Sequence, residues 1–221
     1  MRITILTLFP QMISSFFKES IIKRAQEKGV VAIEVVDIRT YTHDNYHTVD
    51  DRPYGGGTGM VMKLEPLVEA LHAQKRGPNS KVVITSPQGQ VFNQAKASEL
   101  KKLEELVIIC GHYEGVDARV AEFIDEEISL GDFVMTGGEI TAAAIADAVT
   151  RLIPGVLAKE DVTVNESFYF VPLSEVKAAV GETPELRALA ECGVKQVQLL
   201  EYPQYTRPEV FEGQQVPEVL L

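Results

Sequence analysis

The sequence predicts an α/β fold, in which helices cover both faces of a mostly parallel sheet. Short apolar runs of strand length alternate with segments that repeat apolar residues at the helical period. Strands that alternate with helices form parallel sheets whose two faces are both buried. Glycine-rich segments follow several of the apolar runs. Because ligands bind beyond the carboxyl ends of strands in such sheets, the sequence predicts a ligand site at that edge.

The alternating pattern predicts the elements of the first 152 residues. The predicted strands are 3–9, 32–37, 81–85, 106–110 and 127–130. The predicted helices are 11–28, 65–75, 93–103, 116–125 and 140–152. In the first helix, Met12, Phe16 and Ile22 recur near the spacing of one helical face. The last helix has small, apolar residues on most sides, which predicts that it is buried against another subunit.

The pattern changes after Pro154. Residues 156–170 read as a loop. Ser174 is expected to cap one short helix, and Thr183 followed by Pro184 predicts the start of another. The tail, 201–221, has three prolines and little periodicity, so it is expected to be extended and to lie on a surface.

Composition and charge narrow the class of protein. The 221 residues carry a formal net charge of −11, which argues against a protein that coats nucleic acid but leaves a local basic patch open. The two cysteines form no CxxC pair, so a disulfide scaffold or a zinc site is not expected. Cys110, at the end of LVIIC, reads as a buried apolar residue. No apolar run approaches the roughly 20 residues of a membrane span, and the N-terminus does not read as a signal peptide, so a cytoplasmic protein is expected.

Four glycine-rich loops are the main functional signal. Four of the five residues at 55–59 are glycine, and SPQG (86–89), GHYEG (111–115) and GDFVMTGGE (131–139) each follow a predicted strand. The first loop lacks the Gly-Lys pair of a phosphate-binding P-loop and the third glycine of the dinucleotide fingerprint. Tight turns and close strand packing would explain any one loop. Several together predict a pocket of main-chain groups that suits a flat heterocycle with a small polar tail.

Longer motifs carry a resemblance to a known family. They are LTLFPQM, VDDRPYGGGTGMVMK, ITSPQGQVFNQ, CGHYEGVDARV, EISLGDFVMTGGE, DAVTRLIPGVL and YPQYTRPEVFEG. With these motifs the chain resembles the bacterial tRNA (guanine-N1-)-methyltransferases, the TrmD family of the SPOUT (trefoil-knot) methyltransferases. The resemblance implies a deep C-terminal trefoil knot, a pocket for S-adenosyl-L-methionine and a homodimer with its active site at the subunit interface. The implied reaction is methylation of N1 of the guanosine 3′ to the anticodon, position 37 of tRNA, and Mg²⁺ is left open as a second cofactor.

The resemblance also assigns roles to residues. The implied S-adenosylmethionine contacts are Thr85, Ser86, Pro87, Gly111, Tyr113, Glu114, Ser129, Leu130, Gly131, Phe133, Met135, Gly137 and Gly138. The implied tRNA contacts are Asp50, Tyr54, Gly55, Gly56, Gly57, Gly59 and His112. Arg151 and Glu166 occupy the positions of the catalytic arginine and the catalytic carboxylate. The sequence contains no isolated cluster of metal ligands, so no metal site is assigned. Asp50, Asp51 and Glu114 are the first carboxylates to examine for one.

The chemistry of guanine agrees with these two catalytic roles. Guanine N1 carries a proton and needs a general base within hydrogen-bond reach. Negative charge then develops on O6, where a permanently charged arginine is suitable. Two alternatives stay open: Arg151 could cap the end of a helix, and Glu166 could be an ordinary loop acid.

The chain departs from the family pattern in four places, one of them Tyr46, where histidine is usual. Glutamate stands at 166 where aspartate is usual, and a shift of about 1 Å in a catalytic group can cost ~100-fold in rate, which makes Glu160 and Asp161 fallback bases. Residues 169–198 read as an unusual helical insertion. The usual tRNA-binding helical domain is expected to be missing after Leu221. The expected domains are therefore a catalytic domain with the cofactor knot, 1–160, and a linker with the start of the C-terminal region, 161–221.

Two other functions remain as hypotheses. One is a dimeric S-adenosylmethionine-binding module that is weak or inactive as a catalyst, because its RNA-binding domain is truncated. The other is a knotted methyltransferase that acts on a different RNA.

Overall fold

The computed structural model describes residues 1–158, 163 and 166–221. It divides into two units, Met1–Glu160 and Asp161–Leu221. The strands of the first unit are β1 (Arg2–Thr7), β2 (Ala32–Asp37), β3 (Asp50–Asp51), β4 (Val61–Met62), β5 (Ser80–Val91), β6 (Glu105–Cys110) and β7 (Glu126–Ser129). Its α-helices are α1 (Gln11–Ser14), α2 (Ser20–Glu27), α3 (Leu64–Ala73), α4 (Gln94–Leu100) and α5 (Glu139–Thr150).

A five-stranded parallel sheet, in the order β2-β1-β6-β5-β7, organises the first unit. Successive side chains of a strand point to opposite faces, so Ile3 and Ile5 pack with α4 and α5 while Leu6 packs with α3. These three side chains are fully buried, and each such burial contributes about 1.5–3 kcal/mol. The predicted α/β class, with a parallel sheet and helices on both faces, is confirmed. The trefoil knot stays a prediction.

Two predicted helices of the first unit are wrong in form. The helix expected at 11–28 is broken into α1, the 3-10 turn Phe16–Lys18 and α2. Glu19 has an extended backbone there and Ser20 has a φ of 52°, a left-handed value that interrupts helical hydrogen bonding. The helix expected at 116–125 is a 3-10 helix, Ala118–Phe123, because Asp117 accepts a hydrogen bond from the main-chain N–H of Arg119 and tightens the first turn.

The segment SPQG interrupts a strand, although the sequence placed it at a strand end. Strand β5 continues to Val91, and both Thr85 and Gln90 pair with Ile128 of β7. Residues 86–89 therefore bulge out of the sheet. A bulge of this kind re-aims the backbone near a site, and a periodicity argument cannot reveal it.

The second unit is built from short elements. They are β8 (Tyr169–Pro172), α6 (Leu173–Val180), α7 (Pro184–Glu191), β9 (Gln196–Leu199), β10 (Val210–Phe211) and β11 (Gln214–Gln215), with β8 antiparallel to β9 and β10 antiparallel to β11. Thr183 caps α7 as predicted, since its hydroxyl accepts from the N–H of Leu186. The cap predicted at Ser174 is wrong, because α6 already begins at Leu173 after Pro172.

Candidate functional site

A cavity of about 470 Å³ opens at the carboxyl edge of β5, β6 and β7. It is lined by the bulge of β5, by the loop after β6 and by the loop between β7 and α5. The parallel order of these neighbouring strands brings three loops that are distant in sequence to one place. The predicted methyl-donor contacts that line it are Thr85, Ser86, Pro87, Gly111, Tyr113, Glu114, Ser129, Leu130, Gly131, Phe133, Met135, Gly137 and Gly138. The structure therefore gathers all of them in a single cavity.

The side chain of Thr85 joins two walls of this cavity. Its Oγ1 accepts a hydrogen bond from the N–H of Gly111 at 3.1 Å and donates to the carbonyl of Ile109 at 3.3 Å. The N–H of Gly138 in turn donates to the carbonyl of Gly111 at 2.9 Å. A Cβ on Gly138 would overlap Thr85 Oγ1 and lie 3.0 Å from Cα of Cys110. The loops after β6 and β7 are therefore in contact through their backbones, which requires glycine at 138.

Tyr113 and Gly131 of the cavity wall have positive φ angles. Tyr113 adopts a left-handed φ of 61°, an uncommon conformation that often marks functional loops. Gly131 has a φ of 156°, and a Cβ there would lie 2.8 Å from the ring of Phe133. Both features are local backbone conformations within loops that line the cavity.

The chemistry of the lining suits S-adenosylmethionine. Apolar groups such as Leu130 and Phe133 can cover a flat heterocycle, and the glycine backbones can bind polar edges. Among the described lining residues there is no lysine or arginine, whereas Glu114 and Glu127 are present. A wall with this charge favours a ligand that carries a sulfonium and an ammonium over a nucleoside triphosphate.

The hairpin of β3 and β4 carries the predicted tRNA contacts other than His112. Asp50 pairs with Met62, and the turn between the strands presents a fully exposed Tyr54. The predicted residues on this hairpin are Asp50, Tyr54, Gly55, Gly56, Gly57 and Gly59. Its strand β4 is hydrogen-bonded to the GHYEG loop, since Met62 N–H donates to the carbonyl of Gly115 at 2.9 Å. The hairpin is therefore attached to one wall of the cavity.

Glu139 is a buried carboxylate that the sequence reasoning did not single out. It is the first residue of α5 and is 1% exposed. Its Oε1 accepts from the hydroxyl of Thr7 at 2.5 Å, and its Oε2 lies 2.8 Å from Nε2 of His112. One signal could have identified it, since Glu139 is an acidic residue at the start of an otherwise small and apolar segment. His112, expected to contact tRNA, lies in the cavity wall.

The two predicted catalytic residues belong to different units. Arg151 directly follows α5, and its N–H donates to the carbonyl of Asp147 at 3.1 Å. Glu166 begins the continuous part of the second unit, where its carbonyl accepts from the N–H of Tyr169 at 3.3 Å. Both side chains are half-buried. The fallback bases Glu160 and Asp161 lie outside the described residues.

The described part of the chain contains neither a metal-binding cluster nor a helix that could span a membrane. Within residues 1–158, 163 and 166–221, no group of three or more histidine, cysteine, aspartate or glutamate side chains could hold a metal ion. In the same residues, none of the helices has the length and apolar character needed to cross a membrane.

Known proteins resemble the chain over its whole length. The family described as tRNA (Guanine-1)-methyltransferase TrmD matches residues 1–221, which includes 169–198. The tRNA (guanine-N(1)-)-methyltransferase of Carboxydothermus hydrogenoformans is 49% identical over 222 residues, and the match covers 100% of this chain and 77% of that protein. The protein of the same name from Clostridium beijerinckii is 49% identical over 221 residues, with 100% and 81% covered.

A solved structure agrees with the fold. The crystal structure of the tRNA (m1G37) methyltransferase from Aquifex aeolicus superposes with a TM-score of 0.75 at 39% identity. That match covers 100% of this chain and 82% of the other. The full-length family match and these relatives show that the chain belongs to the tRNA (guanine-1)-methyltransferase TrmD family.

Proposed function

We propose that this protein transfers a methyl group from S-adenosylmethionine to N1 of the guanosine 3′ to the anticodon of tRNA, position 37. One observation carries the proposal: three loops place all the residues expected to contact the methyl donor around one cavity of about 470 Å³. Relatives that match the chain along its full length are named tRNA (guanine-N(1)-)-methyltransferase, and a similar solved structure is named tRNA (m1G37) methyltransferase.

The proposed chemistry assigns one task to each catalytic residue. The carboxylate of Glu166 takes the proton from guanine N1, which makes the nitrogen a competent nucleophile. The guanidinium of Arg151 stabilises the negative charge that develops on O6. The bound donor supplies an electrophilic methyl group on its sulfonium. The base then contributes a rate factor of about 10²–10⁴.

The cavity residues have a complementary task. Main-chain groups of the three loops bind the polar edges of the donor, and the apolar side chains exclude water around it. Mg²⁺ is a separate expectation of the same family, but Asp50, Asp51 and Glu114 do not form a cluster that could hold it among the described residues. Methyl transfer measured with and without EDTA tests that expectation.

The glycine hairpin is the proposed contact for tRNA. Its turn is exposed and borders the cavity through the GHYEG loop, so RNA held by Tyr54 and the glycines would lie beside the bound donor. The formal net charge of −11 opposes binding of a polyanion, and the steep loss of affinity with added salt comes from phosphates neutralised by Lys and Arg, so we expect tRNA affinity to depend only weakly on salt. A cytoplasmic location is part of the same proposal.

We further propose that the active protein is a knotted homodimer whose active site lies at the subunit interface. If Arg151 of one subunit acts with Glu166 of the other, mixed dimers of two inactive variants contain one intact site. Mixing and refolding Arg151→Ala with Glu166→Gln should then restore methyl transfer. No recovery in verified mixed dimers would contradict a shared site.

Methyl transfer to defined RNA tests the function. The substrate is an unmodified tRNA transcript with guanosine at position 37, and the matched control carries adenosine there. We expect incorporation into the first transcript alone. Calorimetry with S-adenosylmethionine that shows binding without turnover would favour the inactive binding module, and equal methylation of both transcripts would favour a different RNA substrate.

The variant Glu166→Gln tests the proposed base. It keeps the size of the side chain but cannot accept the N1 proton, so the rate should fall at least about 100-fold while S-adenosylmethionine affinity stays within about twofold. The matched control is Glu191→Gln, an exposed glutamate of α7 in the same unit. Its rate should equal that of the wild type. If Glu166→Gln retains full turnover, another group is the base.

A further inference from the structure

We propose that Glu139 is a positioning residue for the methyl-donor cavity, which acts by holding His112 and therefore the wall formed by the GHYEG loop. The inference rests on the proposed function, since it concerns how tightly the cavity holds S-adenosylmethionine. Glu139 itself does not line the cavity in the described structure, whereas His112 does.

Two donors converge on the Glu139 carboxylate. The hydroxyl of Thr7 donates to Oε1 at 2.5 Å, and its own oxygen accepts from the N–H of Phe9 at 2.9 Å. Because a carboxylate can only accept, Nε2 of His112 carries the proton that it shares with Oε2 at 2.8 Å. The carboxylate also lies in the first turn of α5, where the helix dipole favours negative charge. It therefore links the end of β1, the start of α5 and the loop after β6.

The cavity wall at Gly137 depends on this pair. A Cβ on Gly137 would overlap the imidazole of His112 and would lie 2.6 Å from Oε2 of Glu139. The backbones of His112 and Gly137 also form a β-bridge. The His–Glu pair thus lies directly against the backbone of the TGGE turn, between two of the three loops that form the cavity.

The imidazole is held on its other sides as well. Its ring centroid is 4.7 Å from that of Phe9, and the main-chain N–H of His112 points to the sulfur of Met62 at 3.2 Å. The next residue is Tyr113, whose left-handed backbone needs support from its surroundings. Loss of the Glu139 carboxylate would leave a buried donor without its acceptor, so the loop should lose its defined position.

Glutamine is the informative replacement. It keeps the shape of Glu139 but offers one acceptor oxygen where two donors meet. We expect the dissociation constant for S-adenosylmethionine to rise about tenfold in Glu139→Gln. The KM for the donor should rise equally, while kcat at saturating donor changes less than about threefold, because the carboxylate does not act on the reacting atoms.

A double-mutant cycle separates positioning from general stability. Calorimetry measures the S-adenosylmethionine affinity of the wild type, Glu139→Gln, His112→Gln and the double variant. If Glu139 acts through His112, the double variant should have the same affinity as the single variant with the larger loss. In the apo protein, ¹⁵N signals of the His112 ring should shift in Glu139→Gln while those of His43, His47 and His72 stay. Thr150→Val, a buried change on the same helix, is the matched control and should bind the donor as the wild type does.

Several results would overturn the inference. Unchanged affinity in Glu139→Gln, or additive losses in the double variant, would exclude action through His112. If Glu139→Gln does not fold, unchanged affinity in a folded His112→Gln overturns it equally. If the wild type does not bind S-adenosylmethionine, the proposed function fails together with this inference. If the wild type binds it and Glu139→Gln binds it with the same affinity, only this inference fails.

Discussion

Replacing Gly138 by alanine should lower both the free energy of unfolding and the affinity of the cavity for S-adenosylmethionine. Gly138 is buried at the start of α5, and its N–H donates to the carbonyl of Gly111. A Cβ at this position would overlap Thr85 Oγ1, and would lie 2.9 Å from Cβ of Thr85 and 3.0 Å from Cα of Cys110. Cβ of Thr85 and Cα of Cys110 are fixed by the backbones of the central strands β5 and β6, so side-chain rotation cannot relieve these two contacts.

The magnitude follows from two opposing effects. Overpacking a rigid core typically costs about 1–3 kcal/mol, and replacing glycine by alanine where the backbone allows it recovers about 0.4–1 kcal/mol through the unfolded state. The free energy of unfolding should therefore fall by about 1–2 kcal/mol. For a chain of this size the melting temperature should fall by about 2–8 °C. Because Thr85 must also move away from Gly111, S-adenosylmethionine affinity should fall about tenfold.

Urea unfolding and calorimetry with S-adenosylmethionine measure the two effects. Gly77→Ala is the matched control, because a Cβ at Gly77 meets no atom within 4 Å and the backbone there is not left-handed. The control should be as stable as the wild type or slightly more so, with the same affinity. If Gly138→Ala also matches the wild type in both measurements, the close approach of the two loops is not what shapes the cavity.

Two further predictions concern titration and reactivity. Hydrogen bonds from the ammonium groups of Lys81 and Lys96 lower the pKa of Glu99 from 4.5 to about 2. The ionised Glu99 side chain therefore stabilises the fold above pH 4.5, and this stabilisation is lost as the pH falls towards 2. Glu99→Gln should therefore lower the free energy of unfolding by up to about 1 kcal/mol at pH 7, because Glu99 is half-exposed. The loss should be much smaller at pH 3, as measured by urea unfolding. Equal losses at the two pH values would contradict a stabilising role for the ion pairs. Burial, and secondarily the negative charge of Glu139, raises the pKa of the Cys110 thiol, whereas Cys192 is exposed. A disulfide reagent at pH 8 should therefore modify Cys192 alone in the native protein and both thiols after unfolding. Rapid labelling of Cys110 in the native protein would contradict its burial.

Much of the fold could be predicted from short-range patterns. The strand 32–37 matches β2 residue for residue, the strand at 106–110 begins one residue after β6, and the strand at 127–130 is shifted by one residue from β7. Cys110 is fully buried, as its position at the end of LVIIC indicated. These predictions succeed because periodicity and turn chemistry act over a few neighbouring residues.

The errors fall where one residue's backbone or a distant strand decides the outcome. The break at Ser20 comes from a left-handed backbone that apolar spacing does not reveal. The bulge at 86–89 exists because Thr85 and Gln90 both pair with Ile128 of another strand. Ser174 was expected to cap a helix on its residue type alone, while the chain conformation at Pro172 starts the helix earlier.

The loops of the candidate site could be located from local sequence, because several glycine-rich segments together follow predicted strands. Long-range packing brings these loops into one cavity and brings Thr7, His112 and Glu139 together behind it. These three residues are more than a hundred positions apart from first to last. Their contact depends on the strand order β2-β1-β6-β5-β7, which results from burying the two faces of the whole sheet and is not encoded in any local pattern.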